Sequence, residues 1–144
     1  MDSVHNRCGD GKTCNVALPT QGVCPLGWHL PSKAEWDALY VEELLGDLNV
    51  GAVLLKSVNG WKKDFDGSSG GGTDALSFTV LPAGFEDNGR FFSLGDMTYI
   101  WSSNESTTGD AYRVDFGYNI KYMRMESSPK FRAFSVRCIK DYSD

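Results

Sequence analysis

Apolar positions recur at helical spacing early in the chain and alternate with polar ones later. After Pro31, the residues Trp36, Leu39, Tyr40 and Leu44, with Glu43 beside them, fall on one stripe of a helix and carry two large aromatic rings toward a core. Ser32 followed by Glu35 is a capping box, in which hydroxyl and carboxylate satisfy backbone N–H groups that the first turn leaves unpaired. The helix is therefore expected from Ser32 to about Leu45, with Gly46 ending it. Ahead of it, Pro25 and Gly27 bend the chain, Trp28 and Leu30 alternate around His29, and Pro31 stops the strand. Val50 to Lys56, with Asn49 as cap, predicts a second, short helix ending near Ser57. From Ser77 the period changes to two. Residues 77–81, 89–94, 98–102, 111–117, 119–125 and 133–139 are β-prone runs separated by Gly, Asn, Asp or Ser. Asp87-Asn88-Gly89 and Gly117-Tyr118-Asn119 are the strongest hairpin signals. Helices first and strands after is the α+β pattern.

Residues 1–23 have no apolar period and read as an irregular N-terminal arm, leaving 24–144 as a single domain. Residues 64–74 form a glycine-rich loop with too little side-chain volume to pack. At 144 residues one core is feasible, burying roughly 70% of the unfolded surface. The net charge is −5 and no Lys/Arg cluster gathers on any predicted element, which argues against nucleic acid or an anionic membrane as partner. No apolar run approaches the ~18 residues needed to span a bilayer, so no membrane insertion is expected.

Four cysteines, Cys8, Cys14, Cys24 and Cys138, allow three pairings that sequence alone does not separate, and their even number implies an oxidising compartment. The first residues, Met1 to His5, have neither the basic nor the apolar region of a signal peptide, so the chain reads as a piece of a longer precursor. Structural zinc fits poorly, because five residues separate Cys8 from Cys14, rather than the usual two to four, and only His5 lies near. Asp64, Asp66 and Asp74 around the glycine loop are the candidate calcium ligands, but Asp66 is followed at once by Gly67 and no Glu closes an EF-hand. No cofactor is expected, calcium being the one ion this loop could take.

His29 titrates near neutral pH but stands alone between two prolines, which reads as a packed corner histidine. No Gly-x-Ser-x-Gly, His-Glu-x-x-His or phosphate-cradling glycine loop appears, and no residue is assigned a catalytic role. Glu86, Asp87, Asp96, Glu105, Asp110 and Asp115 leave a glycosidase-type carboxylate pair open. The stronger signal is aromatic. Tyr99, Trp101, Tyr112, Phe116, Tyr118 and Tyr122 are interleaved with polar groups, the arrangement on which sugar rings stack while neighbours bond the hydroxyls. Tyr112, Val114 and Phe116 alternating with Arg113 and Asp115 is also what any strand with one buried face shows, so more than half of these rings are expected in the core. Tyr99, Trp101, Asn104, Glu105, Asp110 and Arg113 are the candidate ligand-binding residues.

Cys24-Pro-x-Gly-Trp-His-Leu-Pro-Ser-x-x-Glu-Trp36, followed in order by Leu55-Lys56-Ser57, Asn59-Gly60-Trp61, Gly72-Thr73-Asp74, Leu81-Pro82-Ala83-Gly84, Trp101-Ser102-Ser103, Ala111-Tyr112 and Phe134-Ser135-Val136-Arg137-Cys138, resembles the Fibrobacter succinogenes major paralogous domain, a family of bacterial surface or secreted modules. More distantly, Leu-Pro-Ser-x-x-Glu-Trp is similar to a motif of formylglycine-generating-type domains, which implies a C-type-lectin-like fold and by itself no activity. The resemblance favours a Cys24–Cys138 disulfide, leaving Cys8 and Cys14 as a local staple. Strand-like segments that the family carries upstream have no match here, which implies an open sheet edge available for self-association. The resulting expectation is a non-catalytic extracellular binding or adhesion module whose partner is a polysaccharide or a surface protein. The alternatives are a formylglycine-generating-type oxidase, which would need a free thiolate late in the chain, and a glycoside-active enzyme.

Overall fold

The computed structural model describes residues 11–12, 18–40 and 50–142. The capping box forms as expected: Ser32 Oγ accepts from the Glu35 N–H at 3.2 Å, and Glu35 Oε2 accepts from the Ser32 N–H at 2.8 Å. It opens α1, Lys33–Leu39, with Tyr40 in the C-cap position. The expected continuation to Leu45 lies outside the described residues, as do Asn49 and the Cys8–Cys14 pairing. The second helix, α2, is Gly51–Leu55, preceded by Val50, whose side chain makes no capping hydrogen bond.

Among the described residues the strands are β1 Trp28–His29 ahead of α1, then β2 Phe85–Asp87, β3 Arg90–Phe92, β4 Met97–Glu105, β5 Asp110–Gly117, β6 Arg124–Pro129 and β7 Ile139–Lys140. Among the described residues they make three small antiparallel sheets, β1–β7, β2–β3 and β4–β5–β6, beside the two short helices. Asn88 and Gly89, at φ 51° and 77°, turn β2 into β3 with Asp87 paired to Arg90, the two-residue turn that the Asp-Asn-Gly signal predicts. The other hairpin signal also joins two antiparallel strands, β5 and β6, but not through a tight turn. A six-residue connection, 118–123, separates β5 from β6, because its backbone is drawn toward α2 by Lys121 O, which accepts from the Ala52 N–H at 3.0 Å, and Met123 enters the core. Residues 77–81 likewise form no strand and contribute one bridge, Val80 to Lys56. Residues 133–139 are spent on single bridges, Ala133 to Glu86 and Ser135 to Ile100, before β7 begins.

The core sits between the three-stranded sheet and the helices. Ile100 faces Val114 and Thr98 faces Phe116 across β4 and β5, and this face packs with Trp36 of α1, Ala52 and Leu55 of α2, Trp61, Val80 and Met123. Leu39 and Tyr40 continue the α1 stripe against it. The disulfide Cys24–Cys138 ties the entry of α1 to the last strand across 114 residues. Closing so long a loop stabilises the fold by about 4–5 kcal/mol in the chain-entropy account. Among the described residues no helix is long and apolar enough to cross a membrane.

Residues 65–69 of the glycine loop are exposed, but its end at residues 70–72 is packed, contrary to expectation, and the lack of side chains there is the reason. Gly72 and Asp74 donate backbone hydrogen bonds to Ser57 O and Lys56 O, and a Cβ at Gly72 would lie 2.2 Å from Val53 O. Backbone lies directly on backbone. Lys56 anchors the same junction: 2% exposed, it donates from Nζ to Gly70 O at 2.7 Å, Gly117 O at 2.9 Å and Ile120 O at 3.3 Å.

Candidate functional site

The face of the central sheet opposite the core is built from β4, β5 and β6 by the same alternation. Tyr99 and Trp101 of β4 lie beside Asp115 and Arg113 of β5, which in turn pair with Arg124 and Glu126 of β6. Across this face lies the β2–β3 hairpin, held by the bridge from Glu86 to Ala133, together with the segment that carries Phe134. The rings meet in a continuous series. Phe92 stacks on Phe85 at 5.4 Å between centroids, Phe85 meets Tyr99 edge-on at 5.2 Å, and Phe134 stacks on Tyr99 at 5.1 Å and lies 4.4 Å from Trp101.

Guanidinium groups lie over these rings. Arg113 Cζ is 4.6 Å from the Tyr99 centroid and Arg132 Cζ is 5.8 Å from that of Phe85. Each is held from the side by a carboxylate, Arg113 by Asp115 at 2.7 Å and Arg132 by Asp87 at 2.9 Å. Asp115 is fully buried and also binds Arg124 at 2.6 Å, so one carboxylate orients two arginines. Ser128 Oγ accepts from Arg113 Nε at 2.7 Å. Burial raises the Tyr99 phenol above its ordinary value, Arg113 opposing and Asp115 adding. Phe92 is 44% exposed and the Arg124 and Arg132 side chains are about one-third exposed, so the surface is open at the hairpin end.

The six expected ligand-binding residues divide between this surface and four other duties. Tyr99 and Arg113 are on it. Trp101 lies beneath it, 4% exposed and covered by Phe134, so its ring offers no free face. Asn104 belongs to an irregularity in β4 between Trp101 and Glu105, and its Oδ1 accepts from the Lys33 N–H at 2.7 Å, capping the first turn of α1. Glu105 is paired with Lys130, which is itself buried. Asp110 closes the turn into β5, its carboxylate accepting from Thr107 Oγ1 at 2.9 Å. Of the remaining aromatics, Phe116 is in the core as expected, Tyr112 and Tyr118 are half-buried, and Tyr122 is exposed.

Phe85, Phe92, Phe134 and Arg132 join the site without having been singled out from sequence. The legible signal was the apolar residue on each side of the Asp-Asn-Gly turn, since a two-residue hairpin sets Phe85 opposite Phe92.

The other candidate chemistry is distributed as follows. Asp66 accepts from the Ser68 N–H and Asp74 from the Thr79 N–H and hydroxyl, and these hydrogen bonds hold both carboxyls below their ordinary values. Among the described residues no three His, Cys, Asp or Glu side chains gather as a metal site. Cys138 is joined to Cys24 and offers no thiolate. His29 is not alone: it is 3% exposed, with Nδ1 2.6 Å from Asp141 Oδ1 and Nε2 2.8 Å from Glu35 Oε1, while its neighbour Trp28 is turned outward. Burial would lower the imidazole, but the two hydrogen bonds and the two carboxylate charges outweigh it and raise His29 above 6.5. Glu35 is correspondingly lowered: burial would raise it, and the Ser32 and His29 hydrogen bonds reverse the sign.

The family model of the Fibrobacter succinogenes major domain covers residues 4–140. No curated protein and no solved structure matches.

Proposed function

The chain belongs to the Fibrobacter succinogenes major domain family, and on that footing we propose that it is an extracellular binding or adhesion module, with the aromatic and arginine surface as its ligand site. The observation that carries the reading is the oriented pair Arg113 and Arg132, laid over Tyr99 and Phe85 beside the half-exposed ring of Phe92. A hexose places its apolar C–H face on such a ring while guanidinium and carboxylate groups at the edge bond its hydroxyls. A polysaccharide therefore suits this surface better than a compact metabolite. The disulfide supports an oxidising, extracellular setting. The finer architecture we propose is C-type-lectin-like, supported by the bridge from the entry of α1 to the residue before the last strand and by α1 lying against β4.

A glycan array tests the site with three variants beside the parent. Phe92→Ala and Arg132→Ala are expected to abolish or strongly weaken the signals while leaving the fold intact, and Trp101→Ala to lower stability. Arrays on which the parent binds no glycan, or on which Phe92→Ala and Arg132→Ala bind as the parent does, overturn the assignment.

A further inference from the structure

A cavity of about 550 Å³, sharing no lining residue with the site above, opens beside β1, the start of α1 and the residues that follow β7. His29 is at its floor, Glu35 and Asp141 flank the imidazole, and Leu18, Leu30 and Tyr142 supply apolar wall. The volume is that of a small-ligand site. Among the described residues, the charged groups that face His29 are Glu35 from α1 and Asp141 following β7. Two carboxylates against one imidazole leave this set net negative whether or not the ring carries a second proton.

The carboxylates differ in what they have left to offer. Glu35 is committed, one oxygen to His29 and the other to the Ser32 N–H and hydroxyl. Asp141 gives Oδ1 to His29, and among the described residues its Oδ2 has no hydrogen bond, while its side chain is 43% exposed. An anion would face that free oxygen and be repelled. A neutral apolar molecule would leave it without a donor. An ammonium group satisfies it, and a methylene stem behind the ammonium would lie on Leu18 and Leu30, with the exposed Tyr142 ring able to close over the cation.

We propose that this cavity binds a primary amine carried on an apolar stem, with Asp141 as the ligand carboxylate and Tyr142 as the closing wall. The two sources of that chemistry are a lysine side chain of a partner protein and a small free alkylamine. The site is independent of the glycan surface.

The test uses the full chain and NMR titration of the His29 and Tyr142 ring signals with Nα-acetyl-lysine methylamide, its uncharged norleucine counterpart, and n-butylamine. The lysine derivative is expected to shift both rings saturably, and the bound cation to lower the pH midpoint of His29 by like-charge repulsion. Asp141→Asn should weaken binding about tenfold or more, as loss of a charge-assisted hydrogen bond does. Tyr142→Ala, at a side chain that is 85% exposed, should weaken it without disturbing the fold. Tighter binding of the lysine derivative than of butylamine identifies a protein side chain as the occupant; equal binding identifies a free amine. The proposal fails if the norleucine compound binds as well as the lysine one, if acetate perturbs these rings while the amines do not, or if Asp141→Asn and Tyr142→Ala both leave amine binding unchanged.

Discussion

Lys56→Met would test how a fully buried ammonium is tolerated at the junction of α2, the glycine loop and the end of β5. The substitution keeps the unbranched stem and removes the charge. In the parent, burial lowers the amine from 10.5 to about 8, with Asp64 opposing. Holding the proton at neutral pH therefore costs about 3 kcal/mol relative to the unfolded chain. Against that stand the hydrogen bonds to Gly70 O, Gly117 O and Ile120 O. Methionine removes this donor from all three carbonyls, of which Gly117 O keeps the Ile120 N–H at 3.2 Å, and each buried acceptor left stranded costs about 1–3 kcal/mol. Stranding outweighs the relief of desolvation, and a net loss of about 1–3 kcal/mol at pH 7 follows. The pH dependence has a definite sign. Between about 8 and 10.5 the unfolded chain retains the Lys56 proton and the folded chain releases it, so this residue's contribution to stability rises with pH. Urea melts of parent and variant at pH 7 and 9.5 should show the gap between them widening by about 2 kcal/mol. A gap that stays constant or narrows would refute the argument, because other groups titrating in that range are common to both proteins.

Two further outcomes are expected. The His29 cluster should stabilise the fold within a pH window: the His29 share is complete below 6.5 and lost as pH rises through its raised folded value, while the Glu35 share is complete above 4.5 and lost as pH falls through its lowered one. The stability difference between the parent and His29→Gln, on the order of 1–2 kcal/mol given the half-exposed Asp141, should be greatest between those values and shrink on both sides in pH-resolved urea melts. Gly72→Ala should cost about 1–3 kcal/mol, since its Cβ would meet Val53 O at 2.2 Å; an unchanged denaturation midpoint would show that the loop is not held on α2.

The start of α1 was readable because capping chemistry is local: Ser32, Glu35 and Trp36 carry their instructions within four residues. The Asn88-Gly89 turn was readable for the same reason. The failures have a shared cause in long-range backbone contacts. Residues 77–81 have strand composition, yet Val80 is taken by Lys56 and Leu55 rather than by a neighbouring strand. The glycines at 70–72 look like slack until α2 is brought against them. For the site, Tyr99 and Arg113 followed from the strand alternation. The register slip after Trp101 could not be read, and it is what sends Asn104 to α1 and leaves Glu105 with Lys130. Asp141 was invisible because it reaches His29 across 112 residues.

Asp115 links the two faces of the central sheet. A carboxylate in an alternating strand is expected to face water, yet Asp115 is as buried as Val114 on the opposite face. Removing such a charge from water costs several kcal/mol and is tolerated only where cations and hydrogen bonds replace the lost solvent. Arg113 and Arg124 supply the charges, from 2.7 and 2.6 Å, and Arg124 also donates a hydrogen bond to Asp115 Oδ2. An isolated surface arginine would sample many rotamers and lose that freedom on meeting a ligand, whereas Arg113 is already fixed by Asp115, by Ser128 and by the Tyr99 ring beneath it. On the binding role proposed above, part of the entropy cost of binding would be met during folding, because the guanidinium plane is set beforehand. That role would give the buried carboxylate a reason to be where it is: it would sacrifice some stability in the sheet to hold a rigid edge around the aromatic surface.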